Sequence, residues 1–428
     1  MSAVDSRAAR RPLVLRNPSF GRVWTGQLLT QAASRMFQVG AVWWLVGFAG
    51  GHHRGLDSGL FLMVSTLPAV ALAPVVARVV ARHAPRTVLA GAAAVAGAVA
   101  ATGALLAQAG ALPMAAVYAV GLALAACQAL FDPCLTTSVP ELVDDADIEA
   151  ATGFELSTQS VAGLGGGLLG PLVVDAGGLP GVVATSAVAY LLAVLLVLSA
   201  RFPQATARAR ATAGDAAPAR RTLRQVLAGL PFIRRVLVCF AAANVFTTAV
   251  YVVMPLYTRG VLHSTGSTVA SLEAALGVGT LVGSFTGARV PGRPIAVGSM
   301  CLAVMAAALG LPGLVAGHAV AFGALAVVGW CVGVIGVRFV ALFQRLVPAD
   351  DKPEFFAVMQ ALLGATFPVA SLVFGALGDH LTARTLCLVQ GAGLVPVALA
   401  LWWAGGRKDG DALRAAAAQP LARAGETS

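Results

Sequence analysis

Charge is scarce in this sequence. Charged residues make up 11% of its 428 residues, hydrophobic residues make up 58%, and the mean hydropathy is +0.82. A soluble domain carries roughly 25% charged residues, so this chain has too little charge to cover a water-soluble globule. Because helices satisfy their own backbone groups within lipid, the composition predicts an all-α integral membrane protein.

The residues and motifs of several enzyme classes are missing as well. Lysine occurs only at Lys352 and Lys408, and neither belongs to the G-x-x-x-x-G-K-[ST] loop of an ATP-driven pump. The H-E-x-x-H and G-x-S-x-G patterns are absent too. The cysteines form no C-x-x-C pair and lie in apolar stretches, which argues against disulfides and metal ligation. The sequence therefore predicts a protein that is not an enzyme and that holds neither a metal ion nor a cofactor.

What the sequence does contain is long apolar runs. A membrane-spanning helix needs about 20 mostly apolar residues, and twelve stretches meet this requirement in two sets of six. The predicted spans are 22–48, 59–81, 87–109, 112–136, 149–175, 181–200, 236–259, 268–289, 295–314, 317–342, 354–379 and 384–405.

An arginine-rich interruption separates the two sets of spans. We predict an N-terminal six-helix bundle with a short basic N-terminus at 1–200 and a cytoplasmic basic linker at 201–235. A C-terminal six-helix bundle at 236–405 and a cytoplasmic tail at 406–428 complete the chain. Segments 81–86 and 288–293, which follow spans two and eight, resemble each other, which favours a duplicated six-helix unit.

The basic residues indicate the orientation. With the N-terminus inside, most of the 29 Lys and Arg residues fall in cytoplasmic segments, as the positive-inside rule requires. This accounts for the net charge of +10 without a nucleic-acid partner. The first apolar segment is too long for a signal-peptide core. We therefore predict a multi-pass protein of the inner or plasma membrane with both termini in the cytoplasm.

Several segments resemble the major facilitator superfamily, and within it the drug, macrolide and siderophore exporters related to the enterobactin exporter. The resemblance covers about residues 16–405, and it is carried by R-N-P-S-F at 16–20, F-D-P at 131–133, V-P-E-L-V at 139–143 and Q-R-L-V-P at 344–348. It implies a fold of twelve transmembrane helices in two six-helix pseudo-repeats. It also implies secondary transport of a small molecule by a chain that works as a monomer.

Two family motifs are only partly present. In the loop after span two, Arg82 and Arg86 match, but a glycine and an aspartate of the pattern are missing. The resemblance assigns these arginines, and the equivalent Arg289 and Arg293, to a gate, whereas a plain positive-inside role is the alternative. In span five the exporter motif survives as Gly166, Gly170 and Pro171. It favours export, and the alternative is close helix packing alone.

Span one carries a polar stripe at helical spacing. Ionisable groups inside hydrocarbon are costly and usually face a cavity, so we predict that the stripe lines the substrate cavity; a hydrogen-bonded seam between helices is the alternative. Related exporters often have an acid where this chain has Ser34 and Arg35, and an arginine suits anionic or neutral polar substrates. The predicted cavity residues are Gln27, Gln31, Ser34, Arg35, Gln38, Gln159, Asn244, Thr248, Tyr251 and Arg338.

Two glutamates are candidates for proton coupling. Glu155 lies in span five and Glu273 in span eight, and a carboxyl group in apolar surroundings binds a proton more readily. For each, the alternative is a charge near the membrane interface. We place Asp132 in an acidic group at the exit of span four, where latching is the favoured role.

These observations predict a secondary active transporter. Its favoured function is proton-coupled efflux of a siderophore, antibiotic or other small metabolite across the inner membrane by alternating access. Uptake of a small organic solute by the same fold is the alternative. The predicted partners are the small-molecule substrate, protons and the lipid bilayer.

Overall fold

A computed structural model of the chain describes residues 13–48, 53–110, 112–144, 147–202, 231–347 and 352–405. Most of the predicted linker and the whole predicted tail at 406–428 lie outside these ranges. The regular structure of the described residues is helical throughout.

Fourteen α-helices are described, together with one 3₁₀ turn at Gly287–Arg289. In chain order they are α1 Leu13–Arg16, α2 Pro18–Gly47, α3 Arg54–Ala71, α4 Ala73–Arg82, α5 Pro85–Gln108, α6 Met114–Leu142, α7 Ile148–Ser199, α8 Pro231–Thr248, α9 Val250–Gly260, α10 Gly266–Thr286, α11 Pro294–Leu314, α12 His318–Leu346, α13 Lys352–His380 and α14 Ala383–Gly405.

The start of α2 shows how the sequence sets a helix boundary. The side chain of Asn17 accepts hydrogen bonds from the backbone N–H groups of Ser19 and Phe20, both at 3.1 Å. Pro18 occupies the first helical position, where its missing N–H costs nothing because that donor has no partner within the helix. The R-N-P-S-F segment therefore caps the helix that carries the polar stripe.

Most of the described helices are long and apolar enough to span a membrane. Nine helical stretches in the described residues are long and apolar enough to cross a membrane, with α8 and α9 counted together as one stretch. The number is ten if α3 and α4, which meet at a bend of 41°, form one span. Helix α2 is 30 residues long but is not among them, because glutamine and arginine side chains interrupt its apolar surface. The chain is therefore a multi-pass membrane protein.

Helix α7 is long enough to cross a membrane twice. Its 52 residues correspond to about 80 Å at 1.5 Å per residue, against about 30 Å of hydrocarbon. The run is broken at Gly178, whose φ of 62° and ψ of −164° are not helical. The predicted spans 149–175 and 181–200 both lie in this run, and they are joined at that glycine.

The chain divides into two compact units. Unit 1 lies within residues 1–51, 61–217 and 265–270, and unit 2 lies within 52–60, 218–264 and 271–428. In unit 1, α2 and α5 both pack against α7, and a core of buried residues that includes Phe20, Leu89 and Phe131 joins these helices to α6. In unit 2, α11 packs against α12 and α14, and α8 packs against α13 and α14. The division into two six-helix bundles at 1–200 and 236–405 stays a prediction.

Candidate functional site

Hydrogen-bonding side chains of α2, α6 and α7 converge inside unit 1. The Nε2 atoms of Gln31 and Gln128 both donate to Oδ1 of Asp132, at 3.0 and 2.7 Å. Thr136, one turn further along α6, donates its hydroxyl to Oε1 of Glu155 on α7. We call Gln31, Gln128, Asp132, Thr136 and Glu155 the polar cluster. It contains the predicted coupling candidate Glu155 together with Asp132, which sequence reasoning had assigned to a latch.

Close packing of α2 on α7 holds one wall of the polar cluster in place. A Cβ atom added at Gly166 would lie 2.6 Å from the carbonyl oxygen of Ala32. At Gly170 it would lie 2.6 Å from the carbonyl oxygen of Met36. Both distances are shorter than van der Waals contact, so only glycine fits at either position. The partial exporter motif with Pro171 thus lies where the two backbones approach most closely.

The remaining predicted residues of α2 occupy different environments. Arg35 donates from Nη1 to Oε1 of Gln38 at 2.9 Å, so the two form a pair within the helix. Gln27 is buried, with 2% of its surface exposed, and its Oε1 has no hydrogen-bond partner in the described part of the chain. Ser34 is half-buried, whereas Gln159 on α7 is exposed.

Three predicted cavity residues of unit 2, Asn244, Thr248 and Tyr251, lie on α8 and α9, two helices separated at Ala249. Asn244 donates from Nδ2 to the carbonyl oxygen of Leu363 at 3.0 Å and to the hydroxyl of Thr366 at 2.6 Å. The hydroxyl of Thr248 donates to the backbone oxygen of Asn244 at 2.6 Å. The ring of Tyr251 contacts that of Phe367, with centroids 5.8 Å apart. Asn244 therefore joins α8 to α13.

A mostly apolar cavity of about 220 Å³ lies beside Asn244 in unit 2. Its lining residues come from α8, α11, α12 and α13, and they are Leu237, Phe240, Ala243, Asn244, Thr247, Leu302, Met305, Val332, Ile335, Gly336, Phe339, Val340, Phe343, Met359 and Leu363. The shape and apolar lining suit the hydrocarbon part of a small ligand.

Two further predicted residues of unit 2 lie apart from this cavity lining. Glu273, on α10, is buried with 8% of its surface exposed. Arg338, on α12, is half-buried, and its Nε has no hydrogen-bond partner in the described part of the chain.

The predicted gate arginines lie at helix ends. Arg82 ends α4 and is exposed, and Arg86 in the first turn of α5 donates to the backbone oxygen of Leu198. Arg289 ends the 3₁₀ turn and Arg293 precedes α11, and both are exposed. Arg86 therefore covers the carbonyl end of α7, a favourable place for a positive charge.

Two carboxylates outside the predicted set bind the starts of helices. Asp379 on α13 accepts from the backbone N–H of Gly55 at 2.8 Å and lies 3.2 Å from Nδ1 of His53. Asp175 on α7 accepts from the backbone N–H of Gly266 at 2.6 Å and from Nε1 of Trp43 at 2.8 Å. The first contact lies within unit 2 and the second within unit 1. Each carboxylate stabilises free N–H groups at a helix N-terminus.

Comparison with solved structures shows the same fold at low sequence identity. A bacterial homologue of the human lysosomal transporter Spinster, in an inward-facing unoccupied conformation, matches with a TM-score of 0.69 and 13% identity over 90% of this chain and 97% of that chain. An inward-facing bacterial homologue of the iron transporter ferroportin matches with a TM-score of 0.67 and 13% identity, over 91% of this chain and 99% of that chain. The nucleoside transporter NupG matches with a TM-score of 0.64 and 11% identity, over 90% of this chain and 99% of that chain.

The sequence comparisons give a family rather than a near relative. No curated protein matches the chain. The family model described as Major Facilitator Superfamily matches residues 23–360, which is more than half of the chain. The resemblance at the level of the superfamily and the prediction of a transporter rather than an enzyme are therefore confirmed. This chain belongs to the Major Facilitator Superfamily, whose members carry small molecules across membranes.

Proposed function

We propose that this transporter exports a small organic molecule, such as a siderophore, an antibiotic or another metabolite, in exchange for protons. It would do so by alternating access across the inner or plasma membrane. The observation that carries this proposal is the polar cluster, which places two carboxyl side chains, Asp132 and Glu155, on helices of a chain with only 11% charged residues. Ionisable groups at such positions are costly and usually functional.

The proposed topology is twelve spans with both termini in the cytoplasm. The count of ten that includes the bent pair of α3 and α4 becomes eleven when α7 is divided at Gly178. Helix α2 supplies the twelfth, since its 30 residues are about 45 Å long at 1.5 Å per residue. The distribution of arginine supports the orientation.

Arg35 supports an anionic or neutral polar substrate. Its guanidinium group holds Gln38 within α2, and a guanidinium group binds carboxylate, catecholate or phosphate oxygens through several N–H donors. Within unit 2, the cavity beside Asn244 offers an apolar surface that suits the hydrocarbon part of a small molecule.

The close contact of α2 and α7 at Gly166 and Gly170 supports export through the family motif. A proline in a transmembrane helix frees a carbonyl group and permits local bending, and Pro171 follows Gly170 directly. The candidates for binding the proton are carboxyl groups of the described spans, and Glu155 and Glu273 are among them. Both lie on helices long enough to cross the membrane.

Inverted membrane vesicles energised by a proton gradient test this function. We expect the wild-type protein to accumulate at least one member of a panel of catecholate siderophores and antibiotics, and collapse of the gradient to abolish the accumulation. Glu155→Gln and Glu273→Gln test the two glutamates separately, and Gln108→Glu, at an exposed position at the end of α5, is the matched surface control. Gradient-dependent depletion of the vesicles, with the solute moving outward, would assign uptake instead and contradict the proposal.

A further inference from the structure

Asp132 lies well inside a membrane-spanning helix. Helix α6 runs from Met114 to Leu142, so Asp132 is ten residues, or about 15 Å at 1.5 Å per residue, from its C-terminal end. A short aspartate side chain cannot reach the membrane surface over that distance. Its charge must therefore be neutralised locally, either by a cation or by a proton.

The partners of Asp132 in the described residues are amides, not cations. Gln31 and Gln128 both donate to its Oδ1. The ion pairs described join Arg16 to Asp147 and His53 to Asp379, and none of them includes Asp132. Its second oxygen, Oδ2, receives no described hydrogen bond. A permanently charged carboxylate at this depth would be poorly compensated by two amide groups alone.

The titratable groups near Asp132 do not supply a cation either. Glu155 lies within electrostatic range of it, and a second negative charge opposes ionisation of the first. Tyr190 also lies within electrostatic range, and it carries no positive charge. The remaining charged side chains described on α2, α4, α5 and α7 are exposed or engaged elsewhere, and they are Arg22, Arg35, Arg78, Arg82, Arg86 and Asp175.

An unused acceptor lies beside Asp132. Oε1 of Gln128 is buried and has no hydrogen-bond partner in the described part of the chain, although Nε2 of the same amide binds Asp132 at 2.7 Å. Leaving a buried acceptor without a donor is unfavourable. A carboxylic acid offers one O–H donor and one carbonyl acceptor, so a protonated Asp132 is complementary to both ends of this amide.

We infer that Asp132 is the proton-binding residue of the exporter, and that Gln128 holds its protonated form as an acid–amide pair. The inference rests on the proposed function. On loading, a proton from water forms an O–H bond at Oδ2, and this O–H donates to Oε1 of Gln128 while Nε2 of Gln128 continues to donate to Oδ1. On release, the O–H bond breaks and the proton returns to water. No electrons are transferred in either step.

Infrared difference spectroscopy of the purified full-length protein during acidification tests this assignment directly. A carboxylic acid absorbs at a carbonyl stretching frequency distinct from that of a carboxylate. We expect the wild type to gain an acid band that is missing in Asp132→Asn and present in Glu155→Gln. Persistence of the full band in Asp132→Asn would overturn the assignment. Asp132→Glu, which keeps a carboxyl group, covers the case in which Asp132→Asn fails to fold, and it should retain a band at an altered frequency.

A second variant tests the role of Gln128. In Gln128→Leu the protonated carboxyl loses its amide partner, so we expect the acid band to move to higher frequency as the carbonyl loses a hydrogen bond. An unmoved band would overturn the acid–amide pair. Gln108→Leu, at an exposed position at the end of α5, is the matched control and should leave the band unchanged.

The spectroscopic test needs no substrate, which separates it from the test of the function. If inverted vesicles show gradient-driven accumulation but the acid band belongs to another residue, the function stands and this assignment fails. If the band belongs to Asp132 but no compound moves with the gradient, the export proposal fails. For a compound that the wild type accumulates, Asp132→Asn should reduce accumulation to the level measured without a gradient, and undiminished accumulation would contradict the assignment.

Discussion

The polar cluster of unit 1 and the cavity of unit 2 both lie where a side-chain amide joins two packed helices, but the groups around the two amides differ. In unit 1 the amides of Gln31 and Gln128 surround a carboxyl group. In unit 2 the amide of Asn244 uses both hydrogens on Leu363 and Thr366, beside a cavity lined mainly by apolar side chains. Of these two sites, the polar cluster in unit 1 surrounds an ionisable group, whereas the cavity in unit 2 offers an apolar surface.

Separating α2 from α7 should have the largest effect, because it removes a wall of the polar cluster. In Gly170→Val the new Cβ would lie 2.6 Å from the carbonyl oxygen of Met36, and we expect destabilisation of about 3 kcal/mol or more with little folded protein in the membrane. Fluorescence-detected size-exclusion chromatography after heating measures this. Gly165→Val is the matched control, since a Cβ there meets no atom within 4 Å; equal loss in both would remove the argument from close packing.

Removing the positive charge of the α2 stripe should come next. We expect Arg35→Gln to reduce transport of anionic compounds by about tenfold or more, as a hydrogen bond to a charged group contributes about 1.5–3 kcal/mol. Neutral compounds should be less affected, and Arg35→Lys should keep part of the activity. Vesicle transport with paired acidic and esterified compounds checks this. Equal losses for both members of a pair would assign Arg35 a structural role.

Removing the side-chain amide of Asn244 in unit 2 should lower thermal stability rather than the dependence of transport on the proton gradient. Asn244→Leu removes the hydrogen bonds from the amide to Leu363 and Thr366 that join α8 to α13, and we expect a loss of about 1 kcal/mol. Thr248→Val, which removes a bond within α8 only, should cost less. Thermal unfolding in detergent measures both variants. If Asn244→Leu instead abolished gradient dependence at unchanged stability, the contrast between the ionisable polar cluster and the apolar cavity would be wrong.

Filling the cavity should have the smallest and most selective effect. Ala243 is buried and lines the cavity, so Ala243→Leu should reduce transport of bulky compounds while small compounds keep their rates. Competition among compounds of graded size measures the change. Ala241→Leu, on the same helix but outside the lining, is the control. A uniform loss for all sizes would show that the cavity does not contact substrate.

The polar stripe of α2 could be predicted from sequence because its spacing follows the helical period. For Asp132 the sequence favours a latch, because the predicted span ends at 136, whereas α6 continues to Leu142; the latch stays a prediction. The shorter span placed the F-D-P segment at the membrane surface among other acids. Gln128, one turn earlier, was the available signal, since an amide and an acid four residues apart share one helix face.

Other parts of the fold depend on contacts that no local pattern reveals. The close approach at Gly170 was visible as a motif, but its partner on α2 was not. The capping of Gly55 by Asp379 joins residues far apart in sequence, and a single aspartate near a helix end gives no indication of its target. Sequence patterns predicted an all-helical multi-pass membrane protein, and tertiary packing decided which polar groups meet.

The break at Gly178 has a practical consequence for work on this transporter. Since one residue with a positive φ separates the two parts of α7, no loop is present there to accept an epitope, a fluorescent protein or a protease site. The same short connection keeps the two helix ends adjacent, while the non-helical backbone of Gly178 interrupts the helix between them. Pairs of spectroscopic labels on opposite sides of this glycine would therefore measure the angle between two successive spans.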